Sequence, residues 1–137
     1  MTTRELIGKG AFFLLALPVV ARASVRVSYW SRRLSLDDQI ERLREVPPFR
    51  ASWLARPREL AGCVDRLLRV LPPRRHGACF RRSLHLLDLW GRCGLDPELR
   101  LGLQGDEDLR EGHAWIVCRR APGIRTSSQG YADTFRF

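Results

Sequence analysis

Lysine is nearly missing from this chain. Lys9 is the only one among 24 basic residues, and the rest are arginine. Histidine is scarce as well, with only His76, His85 and His113. The four cysteines, Cys63, Cys79, Cys93 and Cys118, stand 16, 14 and 25 positions apart and form no CxxC pair. That spacing lacks the clustered thiolates of a structural zinc site, so no metal and no cofactor is expected. There are no internal repeats and no low-complexity linker, which excludes a solenoid or a string of tethered modules. The longest apolar run, AFFLLALPVVA at 11–21, contains Pro18 and is shorter than the roughly 20 residues a membrane-spanning helix needs.

The chain has 137 residues, enough for one domain with a real core, and 45% of them are hydrophobic. The formal net charge is +9. It is unevenly spread: residues 1–75 hold 15 basic and 7 acidic side chains (+8), and residues 76–137 hold 9 and 8 (+1). A basic first half suits nucleic acid, anionic lipid, an acidic peptide or plain solvation. No specific nucleic-acid binding is expected. Trp30 and Trp53 are too sparse for a stacking platform, and no recognition motif is present.

The apolar run follows Arg4 and Lys9 and precedes Ala21 and Ala23, an imitation of a secretory signal. The preferred reading is a core or amphipathic helix ending near Leu17, before Pro18. Leu14, Leu15 and Val19 beside Arg22 and Arg26 also suit a helix lying on a membrane surface, so contact through residues 10–26 is one expectation for an otherwise cytoplasmic protein. Reduced thiols are expected in that compartment.

Residues 22–34 are ambiguous between strand and helix. Ser35, with Asp38 three residues on, reads as an N-cap opening a helix over 36–46. Pro57 opens another, in which Leu60, Val64, Leu67, Leu68 and Leu71 recur at helical spacing up to Pro72-Pro73. A helix beginning at or just before Cys79 presents Phe80, Leu84, Leu87 and Trp90 on one face, with Arg81, Arg82, Asp88 and Arg92 elsewhere, and Gly94 stops it. The period then changes. Residues 98–104 alternate as a strand, 105–111 make a polar turn, 113–118 form a second strand, and a third is expected near Ile124. The fold class is therefore α+β: N-terminal helices, then a helix packed on a small antiparallel sheet. The division expected is a basic, apolar helical region at 1–54 and a core at 55–137.

Cys79 is the candidate nucleophile. A helix N-terminus favours the thiolate, and Arg81 and Arg82 supply positive charge nearby. Gly77 and Ala78 leave room for a substrate backbone. A thiolate at this position needs a base, and His113, on a strand with Trp115 on the same face, is the candidate. His76, in an arginine-rich loop, and His85, off the main apolar stripe, are the competitors. An inert cysteine and a packed histidine would give the same residue types.

The combination ACFRRSLHLLDLWGRCG, LRLGL and GHAWIV resembles the transglutaminase-like leader peptidases of lasso-peptide biosynthesis, over about residues 55–137 and in their stand-alone form. The resemblance implies a papain/transglutaminase-like core and a cysteine protease, with Cys79 as nucleophile and His113 as general base. It implies three partners: a ribosomally made precursor peptide, a separate leader-recognition protein and an ATP-dependent macrolactam cyclase. The family places an acidic residue about a dozen positions after the histidine, and here the sequence departs. Thr126, Ser127 and Ser128 occupy that stretch, and Asp133 is the only later carboxylate. Asp133 is the expected third member. Ser127, Ser128 or Gln129 orienting the ring is the alternative. The departure also admits a scaffold of the same fold that docks the other proteins without turnover.

Overall fold

The computed structural model describes residues 3–72, 78–104, 111–128 and 135–137. Four helices and a three-stranded sheet share one core. The helices are α1 (Thr3–Arg33), α2 (Leu36–Arg44), α3 (Pro57–Val70) and α4 (Ala78–Arg92), and the strands are β1 (Pro97–Gln104), β2 (Glu111–Cys118) and β3 (Phe135–Arg136). The domain is α+β, as the change of period indicates.

α1 overturns the expected stop at Leu17. It runs through Pro18 to Arg33, and residues 22–34 are helical. An interior proline removes one backbone hydrogen bond and costs about 3 kcal/mol. Here Phe12, Ala16, Val20, Ala23 and Val27 form one buried stripe that passes straight across the proline. Burial of that stripe against α3 and α4 offsets the local cost, and Pro18 itself lies on the exposed face. Residues Gly10–Arg33, with a mean hydropathy of 1.6, are also long and apolar enough to cross a membrane by length and composition.

α2 starts at its expected cap: the Ser35 side chain accepts a hydrogen bond from the Asp38 N–H at 3.3 Å. Buried Gln39 fastens α2 to α1, its Nε2 donating to the Val27 carbonyl (3.1 Å) and the Ser31 hydroxyl (2.8 Å). Pro57 takes the first turn of α3, where its missing N–H is no loss. The carbonyl of Pro57 accepts from Trp90 Nε1 at 2.9 Å, which ties the start of α3 to the end of α4.

α4 is the centre of the domain and packs on α1, α2, α3, β1 and β2. It is therefore buried all round, not on one face. Leu84, Leu86, Leu87, Leu89 and Trp90 are all 2% exposed or less, and so is Asp88, which the sequence pattern places off the apolar stripe. Asp88 tolerates this because α1 brings Arg26 to it. Arg26 Nε and Nη2 donate to the two carboxylate oxygens at 3.0 and 3.1 Å.

Gly94 ends α4 with φ +79°, the left-handed region in which a Cβ is penalised. The Gly94 N–H donates to the Gly91 carbonyl (3.0 Å) and the Leu95 N–H to Trp90 (3.2 Å), closing the last turn. Gly94→Ala is expected to lower stability by about 1 kcal/mol, measured by urea denaturation. An unchanged midpoint would mean that the turn relaxes.

The sheet order is β2-β1-β3, all antiparallel, with Gly102 opposite His113 and Leu99 opposite Ile116. The strand expected near Ile124 is reduced to a single bridge between Val117 and Arg125. Pro122 lacks a ladder N–H, and the segment turns at 122–123 instead of extending. The third strand is β3, on the other edge of β1.

Candidate active site

Cys79 is the second residue of α4 and is half-buried. The N–H groups of the first helical turn have no intrahelical acceptor, so the thiol stands at the positive end of a helix. The other three cysteines stand in different surroundings. Burial pushes the Cys93 and Cys118 thiols up to about 11 and raises that of Cys63, so all three stay protonated at neutral pH. Cys63 is buried in α3, and Cys93 falls just past the end of α4, not inside it.

The two arginines expected to charge this helix start have other work. Arg82 forks onto Asp65 of α3, with Nη2 to Oδ2 at 3.2 Å. Arg81 Nη1 donates to the Pro72 carbonyl at 3.1 Å. Both fasten the beginning of α4 to α3. The sequence pattern missed Asp65 because the pairing joins residues of two different helices.

His113 is the third residue of β2 and 8% exposed. Ala114, Ile116 and Cys118 enter the core that α4 shares, while His113, Trp115 and Val117 project on the opposite face. His113 and Trp115 stack with ring centroids 5.8 Å apart and 17° between planes, on one face as the period of two predicts. His113 Nε2 lies 2.7 Å from the Ser127 carbonyl oxygen. A carbonyl only accepts, so Nε2 carries the proton and Nδ1 of the neutral ring carries the lone pair.

Among the described residues, the main-chain carbonyl of Ser127 is thus one partner of the ring. Asp133 and Gln129 lie outside the described residues, as does His76. Thr126 sets the carbonyl's position. Its N–H donates to the Ile116 carbonyl (3.0 Å), and its Oγ1 accepts the Ile116 N–H (2.8 Å), so segment 125–127 is pinned along the outer edge of β2. Thr126→Val removes that acceptor. It should cost about 1 kcal/mol in a denaturant titration and weaken the hold on His113. Full stability in the variant would show that the acceptor is dispensable.

The competitor His85 is fully buried on α4, its Nδ1 2.7 Å from the carbonyl of Arg81 one turn back. It is a packed residue of the core.

Topology sets the heights of thiol and imidazole. α4 turns into β1 through Cys93–Asp96, and β2 returns alongside α4. From Arg92 back to Cys79 is about 20 Å of helix. From Pro97 to Gly102, the partner of His113, is about 17 Å of strand. By these lengths Cys79 and His113 lie at similar heights along the α4–β1–β2 unit, with His113 on the face of β2 turned away from the α4 core.

Beside His113 opens a cleft of about 550 Å³. Trp115 and Val117 form its apolar wall, Arg100 and Arg125 its charged side, and Thr126, Ser127 and Ser128 its rim. Glu98 holds Arg100 and Arg119, with Nε–O distances of 3.3 and 3.0 Å. Burial pushes the Glu98 carboxyl upward, but the hydrogen bonds and charges of the two guanidinium groups outweigh it and hold the pKa below its ordinary value.

The sequence model of the transglutaminase-like superfamily matches residues 19–136. The chain belongs to the transglutaminase-like superfamily. The match takes in the second half of α1, α2, α3, α4 and all three strands, and so covers both Cys79 and His113. No curated protein matches the chain, and no solved structure does. Superfamily membership brings the chain among folds that serve cysteine proteases and transglutaminases. Among the described residues, no group of three or more histidine, cysteine or acidic side chains could hold a metal ion.

Proposed function

We propose that this transglutaminase-like domain is a cysteine peptidase that removes the leader from a lasso-peptide precursor. The observation that carries the reading is the transglutaminase-like match over residues 19–136, which takes in both Cys79 at the start of α4 and His113 on β2. With Nε2–H given to the Ser127 carbonyl, the lone pair of the neutral ring lies on Nδ1, the atom assigned here as the base.

In this mechanism Nδ1 of His113 takes the thiol proton, and the Cys79 sulfur attacks the scissile carbonyl carbon. The oxyanion is received by the Cys79 backbone N–H at the helix start. The C–N bond then breaks, the imidazolium protonates the leaving amine, and the leader remains on sulfur as a thioester. Water, deprotonated by the same imidazole, releases the leader as a carboxylate and restores the thiol.

The separate leader-recognition protein delivers the precursor, and the ATP-dependent cyclase takes the freed core peptide. A mass-spectrometric assay combines this protein, the leader-recognition protein and the precursor, with Cys79→Ala run alongside. Release of an intact leader by the wild type alone is the expected result.

A second reading is favoured by the sequence after His113: the stretch where the family places an acid holds the hydroxyls of Thr126, Ser127 and Ser128. A carboxylate stabilises an imidazolium more strongly. On this reading the domain is a weak enzyme or a scaffold that docks the leader-binding protein and the cyclase. It predicts no cleavage by folded protein with leader bound, and no effect of Cys79→Ala on assembly.

A further inference from the structure

Among the described residues, the exposed large hydrophobic side chains Leu14 (68%), Leu15, Leu17, Val25 (67%) and Tyr29 all stand on α1, and only Trp53 and Val70 lie elsewhere. At 100° per residue, Leu14, Pro18, Ala21, Val25 and Tyr29 fall within one stripe on the side opposite the buried Phe12–Val27 stripe. The helix is therefore apolar on two faces, and the domain's own core covers only one of them. No carboxylate occurs from Leu6 to Leu36, whereas Arg22, Arg32 and Arg33 border the stripe. All three arginines are exposed, and among the described residues none forms an ion pair. Arg33 instead lies over the Tyr29 ring, 5.0 Å from its centroid.

We infer that the outer face of α1 seats the domain on an anionic lipid bilayer, with the helix axis parallel to the surface. An exposed aliphatic stripe with cations along its border and no acid on the same helix from Leu6 onward matches acyl chains beneath anionic headgroups, even though its C-terminal part, with Val25 and Tyr29, also borders a hollow against Leu67 and Leu71. The helix does not span in this state. Its other face is the domain core, and Arg26, within the apolar segment, is held to buried Asp88, so crossing the bilayer would dismantle the fold. Seated this way, the domain is confined to a surface, and the inference stands whether or not the peptidase reading does.

The test is co-sedimentation of the full chain with vesicles of phosphatidylcholine alone and of phosphatidylcholine with phosphatidylglycerol. The inference predicts binding to the anionic vesicles and little to the neutral ones. Leu14→Glu with Val25→Glu should cut the partition coefficient at least about tenfold. Arg32→Gln with Arg33→Gln should cut it about thirtyfold at low salt. Circular dichroism checks the fold of each variant, and because all four side chains are exposed it should be unchanged. Absence of wild-type binding to anionic vesicles would overturn the inference. So would binding indifferent to these substitutions, or capture of the leader-recognition protein by the same residues without vesicle binding.

Discussion

Cys79→Ala and His113→Ala should each lower leader cleavage by about a thousandfold or more, with the fold intact. Removal of a nucleophile or its base costs this much when the two act as one unit, and the double variant should then be scarcely worse than either single one. The surroundings of the thiols add a second readout. Cys93 and Cys118 are pushed up to about 11 and Cys63 is raised, so brief treatment with iodoacetamide near pH 7 should give one adduct, at Cys79. His113→Ala should slow that alkylation by removing the proton acceptor. Equal labelling of several cysteines, or cleavage that survives either substitution, would count against the assignment.

Arg26→Ala should lower stability at neutral pH by about 3 kcal/mol. Asp88 is fully buried, and the substitution leaves its carboxylate without the guanidinium that faces it. The pH dependence gives the sign. Burial raises the Asp88 carboxyl above its ordinary 3.8, and Arg26 opposes that rise. A raised folded-state pKa means that the native state binds the proton more tightly than the unfolded chain does. The stability this confers is present below 3.8 and is lost as pH rises through the folded value. Without Arg26 the folded value climbs further, so the deficit of the variant should be smallest in acid and widen toward neutral pH. Replacing both partners, Arg26→Met with Asp88→Leu, should recover much of the loss, because no charge is then left stranded. Urea titrations at several pH values measure all of this. A deficit independent of pH would show that Arg26 acts through packing alone.

Much of the order of elements from Ser35 to β2 was legible in the sequence because local chemistry decides it. Ser35 caps, Pro57 opens and Gly94 closes their helices through bonds made within a few residues. The alternation of GHAWIV puts His113 and Trp115 on one face without reference to the rest of the fold. What stayed hidden depends on partners distant in the chain. Pro18 reads as a stop until the buried stripe crossing it is seen. Asp88 reads as surface until Arg26, 62 residues away, reaches it. The contact of His113 with the Ser127 carbonyl could not be read in advance, because a backbone carbonyl carries no residue signature. The one side-chain signal was Thr126, whose hydroxyl takes the place of a ladder acceptor on the edge of β2.

The most direct test of the central claim is an acid quench of the wild-type reaction with precursor and leader-recognition protein, followed by intact-mass measurement. A transient species heavier than the enzyme by one leader less one water is expected, located at Cys79 and absent from Cys79→Ala. Leader release with no such adduct and undiminished in Cys79→Ala, or a bound leader that is never cut, would contradict it.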